Sequence, residues 1–479
     1  MSRNLRVLLL TSTWLMFGGL ATLEAAPPKN TDAEKKPAAT KPVGVKKPRP
    51  PKPVKVLPPW VTPALSDGQT VVTDKSEAFL KPTETLLPGV KIAKTPPTVD
   101  FLYFPGQTYR GKIWSNWGDG TVGNGKYYSA IGDHSAPAGT GRVFEYDPQA
   151  KTIRTLVDLK TLLNQPEGKY SPSKIHSRVD FGGDGNLYYS THRGSESVTN
   201  DANGYQGDWI LKTDPRTGKS EVVAHAAVEK HCIPTSVVDP ERMIFYGGTA
   251  SGKDAPAQSV QFLAYDLKNK KVLYQGDDGP PRYIMLAKST GRVYYVPGSN
   301  DEGQLVRWDP AKGGTPTPID AVLGLRAATQ ETPQGIIYTA SKGQGGKPAD
   351  LYAFNVKTEQ VENLGPLEVG LNKYVATMDV DPTGRYLYYI PGAHGGSEVD
   401  GSAIVQFDIK TKTKKVIAFL HPFYGERYGA ILKGTYSSAL SEKGDILYVT
   451  WNVARDAGLK AWDCCAITAI HIPESERQP

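Results

Sequence analysis

The stretch GRVYYVPGSNDEGQLVRWDPAKGG, residues 291–314, decides the fold. It contains an aromatic and β-branched run, a variable loop, a second apolar run and an Asp-Pro step. Short runs of this kind, bounded by Gly, Pro and Asp, are typical of β-strands joined by turns. The phrase occurs seven times, and the residues that close it lie 43–67 residues apart along the chain: Asp147, Asp214, Asp266, Asp309, Asn355, Asp408 and His471. We interpret the closing Asp residues as turn caps without a catalytic role.

A group of strands repeated at roughly 40–50 residue intervals is typical of propeller blades. One further strand precedes each phrase, and tight turns such as GGDG (182–185) and DPTGR (381–385) follow most of these strands. Each blade is therefore expected to contain four antiparallel strands. The sequence predicts an all-β, seven-bladed β-propeller over residues 99–479, with an architecture like that of WD40 repeats.

The last blade lacks an outer strand, because only the polar residues ESERQP (474–479) follow its third strand. A bare sheet edge invites aggregation, so proteins usually cover it. We expect an N-terminal strand within residues 88–104 to fill the place. The two candidates are GVKIAK (89–94) and VDFLYF (99–104), and residues 57–98 are expected to form an extension that wraps the propeller.

The N-terminus predicts export. Arg3 and Arg6, an apolar run over residues 7–20 and small residues at 25–26 together are typical of a secretory signal peptide, residues 1–25. The apolar run is too short to span a membrane, which needs about 20 residues, and the chain has no second candidate. The mature protein is therefore expected to be periplasmic or extracellular, with no transmembrane segment after signal cleavage.

Residues 26–56 form a Pro/Lys-rich segment that is expected to be a disordered basic linker. Nine Lys or Arg residues stand against Asp32 and Glu34, so this segment carries the whole formal charge of +7. The remainder of the mature chain is close to neutral. A nucleic-acid partner would require a basic face on the folded part, so we exclude that class. The linker is either a solvated spacer or a contact to an anionic surface.

The chain has three cysteines, Cys232, Cys464 and Cys465. Neighbouring residues on a strand point to opposite faces of the sheet, so Cys464 and Cys465 cannot both reach one disulfide partner. We expect all three to be packing residues, with a strained vicinal disulfide as the alternative.

Candidate chemistry lies in the second blade, in HSRVDFGGDGNLYYSTH (176–192). His176 and His192 are equally distant from Asp184 at the centre of the turn. A symmetric hairpin register would place the two imidazoles opposite each other at the channel mouth, with Cβ atoms about 5 Å apart. A register slip of one residue would separate them. Such a pair could bind a metal or divide acid and base work.

Equivalent positions in the other blades supply further candidates for the same mouth. His134 is the third candidate ligand for one divalent metal, beside His176 and His192. Arg282, Tyr374 and Tyr436 are the candidate catalytic partners of the histidines, and the candidate ligand-binding residues are Arg110, Arg326 and His394. Guanidinium groups bind carboxylate or sulfate in a bidentate manner. The alternative is that these arginines pair with Asp residues and join neighbouring blades.

The phrases GRVYYVPG…LVRWDP and GRYLYYIPG…IVQFDIKTK resemble exported bacterial propellers of the YVTN-repeat and SMP-30/gluconolactonase-like group. That resemblance implies the propeller fold. The acidic metal-binding set of SMP-30 enzymes is replaced here by His, Arg and Tyr. The segment from His176 to His192 is similar to the paired-histidine arrangement of propeller polysaccharide lyases, of the ulvan and oligogalacturonate lyase type. This second resemblance implies histidines with Tyr and Arg, or a metal, on one face of the ring.

Two functions remain open from the sequence. The first is an exported propeller that binds an anionic carbohydrate-like ligand at the channel mouth and acts as a lyase on uronate-containing polysaccharide. The second is a non-catalytic cell-envelope scaffold that binds a protein or another envelope component through its loops. Either is expected to be a monomer.

Overall fold

The computed structural model describes residues 59–298, 301–343, 345–456, 459 and 462–478. The predicted signal peptide and basic linker lie outside the described residues.

The predicted seven-bladed, all-β propeller is confirmed. From the inner to the outer strand, blade 1 contains Trp114–Ser115, Lys126–Asp133, Gly141–Asp147 and Thr152–Asp158, with Thr121–Gly123 paired to its second strand. Blade 2 contains Asp180–Phe181, Leu187–Ser190, Trp209–Thr213 and Ser220–His225, and blade 3 contains His231–Asp239, Ile244–Ser251, Gln261–Asp266 and Lys271–Asp277. Blade 4 contains Met285–Ala287, Arg292–Tyr295, Glu302–Trp308 and Thr317–Gly324, and blade 5 contains Ala327–Ala328, Ile336–Ala340, Asp350–Asn355 and Val361–Pro366. Blade 6 contains Val375–Val380, Tyr386–Pro391, Ala403–Asp408 and Thr413–Phe419, and blade 7 contains Ile431–Leu440, Ile446–Ala454, Cys464–His471 and Thr98–Tyr103.

The helices of the described residues are short. The α-helices among them are Leu159–Leu163, capped by the Asp158 carboxylate, and Phe423–Tyr428. The 3-10 helices are Ser66–Gly68, Glu77–Leu80, Glu196–Val198, Asp201–Asn203, Ser397–Asp400 and Glu474–Glu476. None of the helices in the described part of the chain is long and apolar enough to cross a membrane.

The repeated Asp closes the turn between the third and fourth strands, as predicted. In blade 3 the Asp266 carboxylate accepts hydrogen bonds from the backbone N–H groups of Lys268 and Asn269, both at 2.9 Å. The same acceptance from residue i+2 is made by Asp147, Asp214, Asp309, Asn355 and Asp408. His471, in blade 7, instead places Nε2 3.1 Å from the carboxylate of Asp100 on the neighbouring strand.

The ring closes through an N-terminal strand. Thr98–Tyr103, from the candidate VDFLYF, pairs antiparallel with Cys464–His471 and becomes the outer strand of blade 7, which confirms the predicted closure. Val72–Lys75 adds one more strand outside it. The other candidate, GVKIAK, contributes Lys91–Ile92, which pairs in parallel with the outer strand of blade 6.

The closing strand is held by its side chains as well as by its ladder. Phe101 is fully buried, and its ring lies 5.2 Å from that of Tyr103 and 4.8 Å from that of Tyr424. Cys464 and Cys465 on the adjoining strand are buried free thiols, and so is Cys232, so all three cysteines are packing residues. Closure is therefore achieved by strand pairing and apolar burial.

Phe101→Ala should destabilise the protein by about 3–5 kcal/mol, because it removes a buried aromatic ring and leaves a cavity at the closure. Chemical denaturation monitored by tryptophan fluorescence measures the change. Val322→Ala is the matched control, since Val322 is 62% exposed on the outer strand of blade 4, and it should change stability by less than about 0.5 kcal/mol. Equal effects of the two substitutions would contradict this account of closure.

Candidate functional site

The two histidines of blade 2 lie side by side. Next to the turn the hairpin has the predicted register, symmetric about Asp184, since Phe181 pairs with Leu187 and Asp180 with Tyr188. The bridge partner of His192 is Lys174, with hydrogen bonds from His192 N–H to Lys174 O at 2.9 Å and in the reverse direction at 3.3 Å. The register therefore shifts by two residues between Asp180 and Lys174, and the predicted direct pairing of His176 with His192 is not formed. An offset of two residues preserves the face on which a side chain lies. The imidazole rings consequently stack, with centroids 5.2 Å apart.

Hydrogen bonds to backbone carbonyls define the tautomers of both histidines. His176 Nδ1 lies 2.9 Å from the carbonyl oxygen of Pro234, so this nitrogen carries the proton and Nε2 presents a lone pair. Arg282 Nη1 donates to that Nε2 at 3.3 Å. His192 Nδ1 lies 2.7 Å from the carbonyl oxygen of Arg193. Burial holds the pKa of both imidazoles well below the usual value, so both are neutral bases near pH 7.

Trp117 is the aromatic centre of the mouth, and no sequence pattern singles it out. Its ring stacks on those of His134 and Tyr436, with centroids 4.4 and 4.3 Å away, and lies 5.4 Å from that of His176. Gly118 makes this placement possible, since a Cβ there would lie 2.0 Å from the carbonyl oxygen of Ser177. Most aromatic residues of a propeller are core residues, so residue type alone does not distinguish Trp117.

Two arginines from adjacent blades line the cleft beneath Trp117. Arg326 is 94% buried; its guanidinium donates to Tyr374 Oη and lies over the rings of Tyr374 and Tyr436, at 5.2 and 5.4 Å. Arg282 is exposed at the opening of the same cleft. Within the described part of the chain, neither guanidinium has a carboxylate at salt-bridge distance. The alternative that these two arginines join blades by pairing with Asp is therefore not what the structure shows.

Tyr374, Tyr436 and His394 form the wall of the mouth next to Arg326. The Tyr436 hydroxyl lies 2.5 Å from His394 Nδ1, and the Tyr374 ring stacks on the His394 imidazole at 4.8 Å. Burial lowers the pKa of His394 to about 4 and raises that of Tyr436. Tyr436 lines the cleft together with His176 and the two arginines.

His134 has a lysine neighbour that sequence reasoning missed. Lys174 is 95% buried, and its Nζ donates to His134 Nδ1 at 3.0 Å. Burial lowers the pKa of Lys174 to about 7, and burial together with this ammonium lowers that of His134 to about 3. In the part of the chain that the structure describes, no group of three or more His, Cys, Asp or Glu side chains is arranged to hold a metal ion. The hypothesis of a metal bound by His134, His176 and His192 thus has no support from the geometry.

Arg110 lies away from the cleft. It is exposed, and its guanidinium lies 5.5 Å from the centre of the Trp60 ring. The ligand-binding role predicted for Arg110 requires its side chain to line the cleft, and the structure places it against Trp60 instead. The floor of the cleft is formed instead by Asp119, Arg178 and Tyr283, which sequence reasoning did not select.

Comparison with known proteins supports the fold. No protein-family model matches the chain, and no curated protein matches it. An oligogalacturonate lyase from Vibrio parahaemolyticus is similar over 85% of this chain and 98% of its own, with 11% identity and a TM-score of 0.50. An oligogalacturonate lyase in complex with manganese is similar over 86% and 98%, with 12% identity and a TM-score of 0.51. Likeness at this identity shows the propeller fold alone, and the resemblance to the YVTN-repeat and SMP-30-like group stays unconfirmed.

The pH dependence of stability should reveal the neutral imidazoles at the mouth. In the unfolded chain histidine titrates near about pH 6.5, whereas the pKa values of His134 and His394 are about 3 and about 4 in the folded protein. Between these pH values the unfolded state binds more protons than the folded state. Each histidine therefore lowers the free energy of unfolding as the pH falls below about 6.5.

We expect the double variant His134→Gln/His394→Gln to lose less stability than the wild type on going from about pH 7 to about pH 5. Urea denaturation at both pH values measures this difference. The comparison between proteins is necessary because Asp208 and Asp379, whose pKa burial raises to about 7, act in the opposite direction in both. An identical pH dependence in the two proteins would contradict the assignment.

Proposed function

We propose that the channel mouth binds an anionic carbohydrate, with one carboxylate or sulfate group seated between Arg282 and Arg326. The observation that carries the proposal is the pair of guanidiniums that share one cleft without a carboxylate partner among the described residues. A buried guanidinium without a counter-ion is costly, and an anionic ligand offsets that cost. The proposal includes export of the protein, which would bring the mouth into contact with extracellular or envelope polysaccharide.

The shape of the cleft supports a charged group as the part of the ligand that enters. The cleft is narrow, so it accepts a carboxylate more readily than a whole sugar ring. The ring would then lie outside, against the exposed Arg282 and His394 side chains. The folded part of the chain is close to neutral, so the attraction to the anionic group would come from the arginines of the cleft.

The same residues support β-elimination on a uronate. Neutralisation of the uronate carboxylate by Arg282 and Arg326 would acidify the adjacent C–H bond. Because Arg282 would then donate to the ligand, Nε2 of His176 would be released to accept that proton. The C–H electrons form the new C=C bond as the C–O bond to the leaving sugar breaks, and Tyr436 Oη donates its proton to the leaving oxygen.

The roles of the other candidates follow from their contacts. His192 stacks on His176 but does not line the cleft, so we assign the base to His176. Tyr374 already accepts from Arg326 and positions that guanidinium. One of the structurally similar lyases is in complex with manganese. The described residues here include no group of three or more His, Cys, Asp or Glu side chains that could hold a metal ion, so the proposed elimination assigns neutralisation of the uronate carboxylate to the two arginines.

The alternative function, a non-catalytic scaffold, would require an exposed aromatic patch for a protein partner. Among the described residues, the exposed large hydrophobic side chains are single and mostly aliphatic, and Tyr109 is the one aromatic among them. This distribution favours the concave, charged mouth as the functional surface.

Binding is tested by calorimetric titration of oligogalacturonate into the wild type, Arg282→Leu and the control Arg216→Leu. Arg216 is an exposed turn residue whose guanidinium forms an ion pair with Asp214. Loss of a charge-assisted hydrogen bond of about 1.5–3 kcal/mol should weaken binding by about 10- to 100-fold in Arg282→Leu. Arg216→Leu should bind as the wild type does. Equal affinities for all three proteins, or no binding by the wild type, would overturn the proposal.

Catalysis is tested with the same oligosaccharide by the ultraviolet absorbance of the unsaturated product. His176→Ala and Tyr436→Phe should each lower kcat by about 10²-fold or more, since each removes a group that transfers a proton. Binding should be retained in Tyr436→Phe, because the phenyl ring still lies beneath Arg326. Tight binding without product in the wild type would leave a carbohydrate-binding propeller and reject the lyase.

A further inference from the structure

A chain of hydroxyl groups joins the buried carboxyl of Asp119 to the half-buried carboxyl of Asp379. Thr377 Oγ1 lies 2.8 Å from Asp119 Oδ1 and 2.7 Å from Ser438 Oγ, and Ser438 Oγ in turn contacts Asp379 Oδ2. Thr377 also accepts a hydrogen bond from the backbone N–H of Ser438 at 3.1 Å. The side chains come from blades 1, 6 and 7, so the chain is built by the closed ring.

The two ends of this chain face different sides of the propeller. Asp119 lines the cleft at the mouth, together with His176 and Arg282. Asp379 lines a funnel of about 500 Å³ on the opposite side, with the strand-turn residues Pro240, Pro382 and Glu442. Both carboxyls also line a small cavity between these two spaces.

The number of hydrogen atoms available to this chain of hydroxyl groups decides the protonation state of the two carboxyls. Three oxygen–oxygen contacts each require one hydrogen, but Thr377 and Ser438 together supply only two. If both carboxyls were ionised, each hydroxyl would donate outward and the Thr377–Ser438 contact would bring two lone pairs together at 2.7 Å. One proton on either carboxyl completes the chain, and it does so equally well from either end.

We propose that Asp119 and Asp379 share a single proton through Thr377 and Ser438, and that this chain is a proton relay between the channel mouth and the opposite face. In one state the Asp379 carboxyl donates to Ser438, Ser438 to Thr377, and Thr377 to the Asp119 carboxylate. Transfer moves the Asp379 proton to Ser438, the Ser438 proton to Thr377 and the Thr377 proton to Asp119. Asp379 is then the anion and Asp119 the acid, with no change in total charge.

The charged neighbours determine which state is populated at rest. Burial raises the pKa of Asp119, but Arg178 Nη1, 3.5 Å from Asp119 Oδ2, and the Tyr283 hydroxyl, which donates to the same carboxylate, oppose that shift and stabilise the anion. Arg178 also forms an ion pair with Asp180, at 3.3 Å. Asp379 has no ion pair in the described part of the chain, and burial and the nearby Asp119 raise its pKa to about 7. The resting proton therefore lies on Asp379.

The relay deepens the proposed function, because a proton taken from a substrate in the cleft would have a route to the opposite face. That use rests on the proposed lyase activity. The shared proton itself does not, so it is measured without any ligand.

Infrared spectroscopy of the C=O stretch of protonated carboxyl groups tests the proposal at about pH 6, where ordinary Asp side chains with a pKa of about 3.9 are ionised. Asp379→Asn and Asp119→Asn should each lose the intensity of one carboxyl, since an amide N–H supplies the missing hydrogen. The double variant should lose no more than either single variant, because the two residues hold one proton between them.

Two controls separate this result from general effects of substitution. Asp208, which burial also keeps protonated to about pH 7, should lose its own intensity in Asp208→Asn, additively with Asp379→Asn. The exposed Asp277→Asn should lose none. Should Asp119→Asn fail to fold, Thr377→Val replaces it: without the Thr377 hydroxyl, Ser438 alone satisfies Asp379, so loss of one carboxyl supports the shared proton and loss of none overturns it. Loss of two carboxyls in the double variant would also overturn it, since the residues would then titrate independently.

Discussion

The pairing of Thr98–Tyr103 with Cys464–His471 is the interaction on which the rest of the structure depends. A propeller channel exists only when the last sheet meets the first, and here the N-terminal strand completes the last sheet. Key contacts of the site lie across blade boundaries: Trp117 of blade 1 contacts Tyr436 of blade 7, and Arg282 contacts His176 two blades away. Loss of closure would therefore disperse the site as well as destabilise the fold.

The mouth has an unusual electrostatic composition for a buried region. Its histidines are neutral because burial and neighbouring cations lower their pKa values. Its arginines remain charged, and their partners are phenol oxygens, aromatic faces and an imidazole nitrogen. Neutral bases beside unneutralised guanidiniums suit a ligand that brings both a negative charge and a proton to be removed. The carboxyls of Asp119, Asp180 and Asp379 lie deeper in the channel, and Arg178 forms ion pairs with the first two.

Much of the fold could be predicted from the sequence, because the strand–loop–strand phrase recurs in each blade and a capping Asp closes it in five of the seven. Closure was also predictable, since the missing outer strand of blade 7 had few possible replacements. The site was only partly predictable. His176, His192, Arg282, Arg326, Tyr374, Tyr436 and His394 do gather at the mouth, because equivalent positions in successive blades face the same channel.

The remaining features depend on details that sequence patterns do not encode. The two-residue offset that pairs Lys174 with His192 arises from the local course of the inner strand of blade 2. Trp117 and Asp119 reach the channel because Gly118 permits close contact with the backbone at Ser177. Arg110 occupies a similar position in the sequence but contacts Trp60 instead. Such choices follow from tertiary packing, which a count of residues from a turn cannot give.

The central claim is that Arg282 and Arg326 form a binding site for one anionic group of a carbohydrate. The most direct measurement is a crystal structure of the protein with bound trigalacturonate. Our account predicts a carboxylate between the two guanidiniums, with Nε2 of His176 facing the adjacent carbon atom. A trisaccharide bound elsewhere on the propeller, with the cleft between the arginines unoccupied, would contradict it.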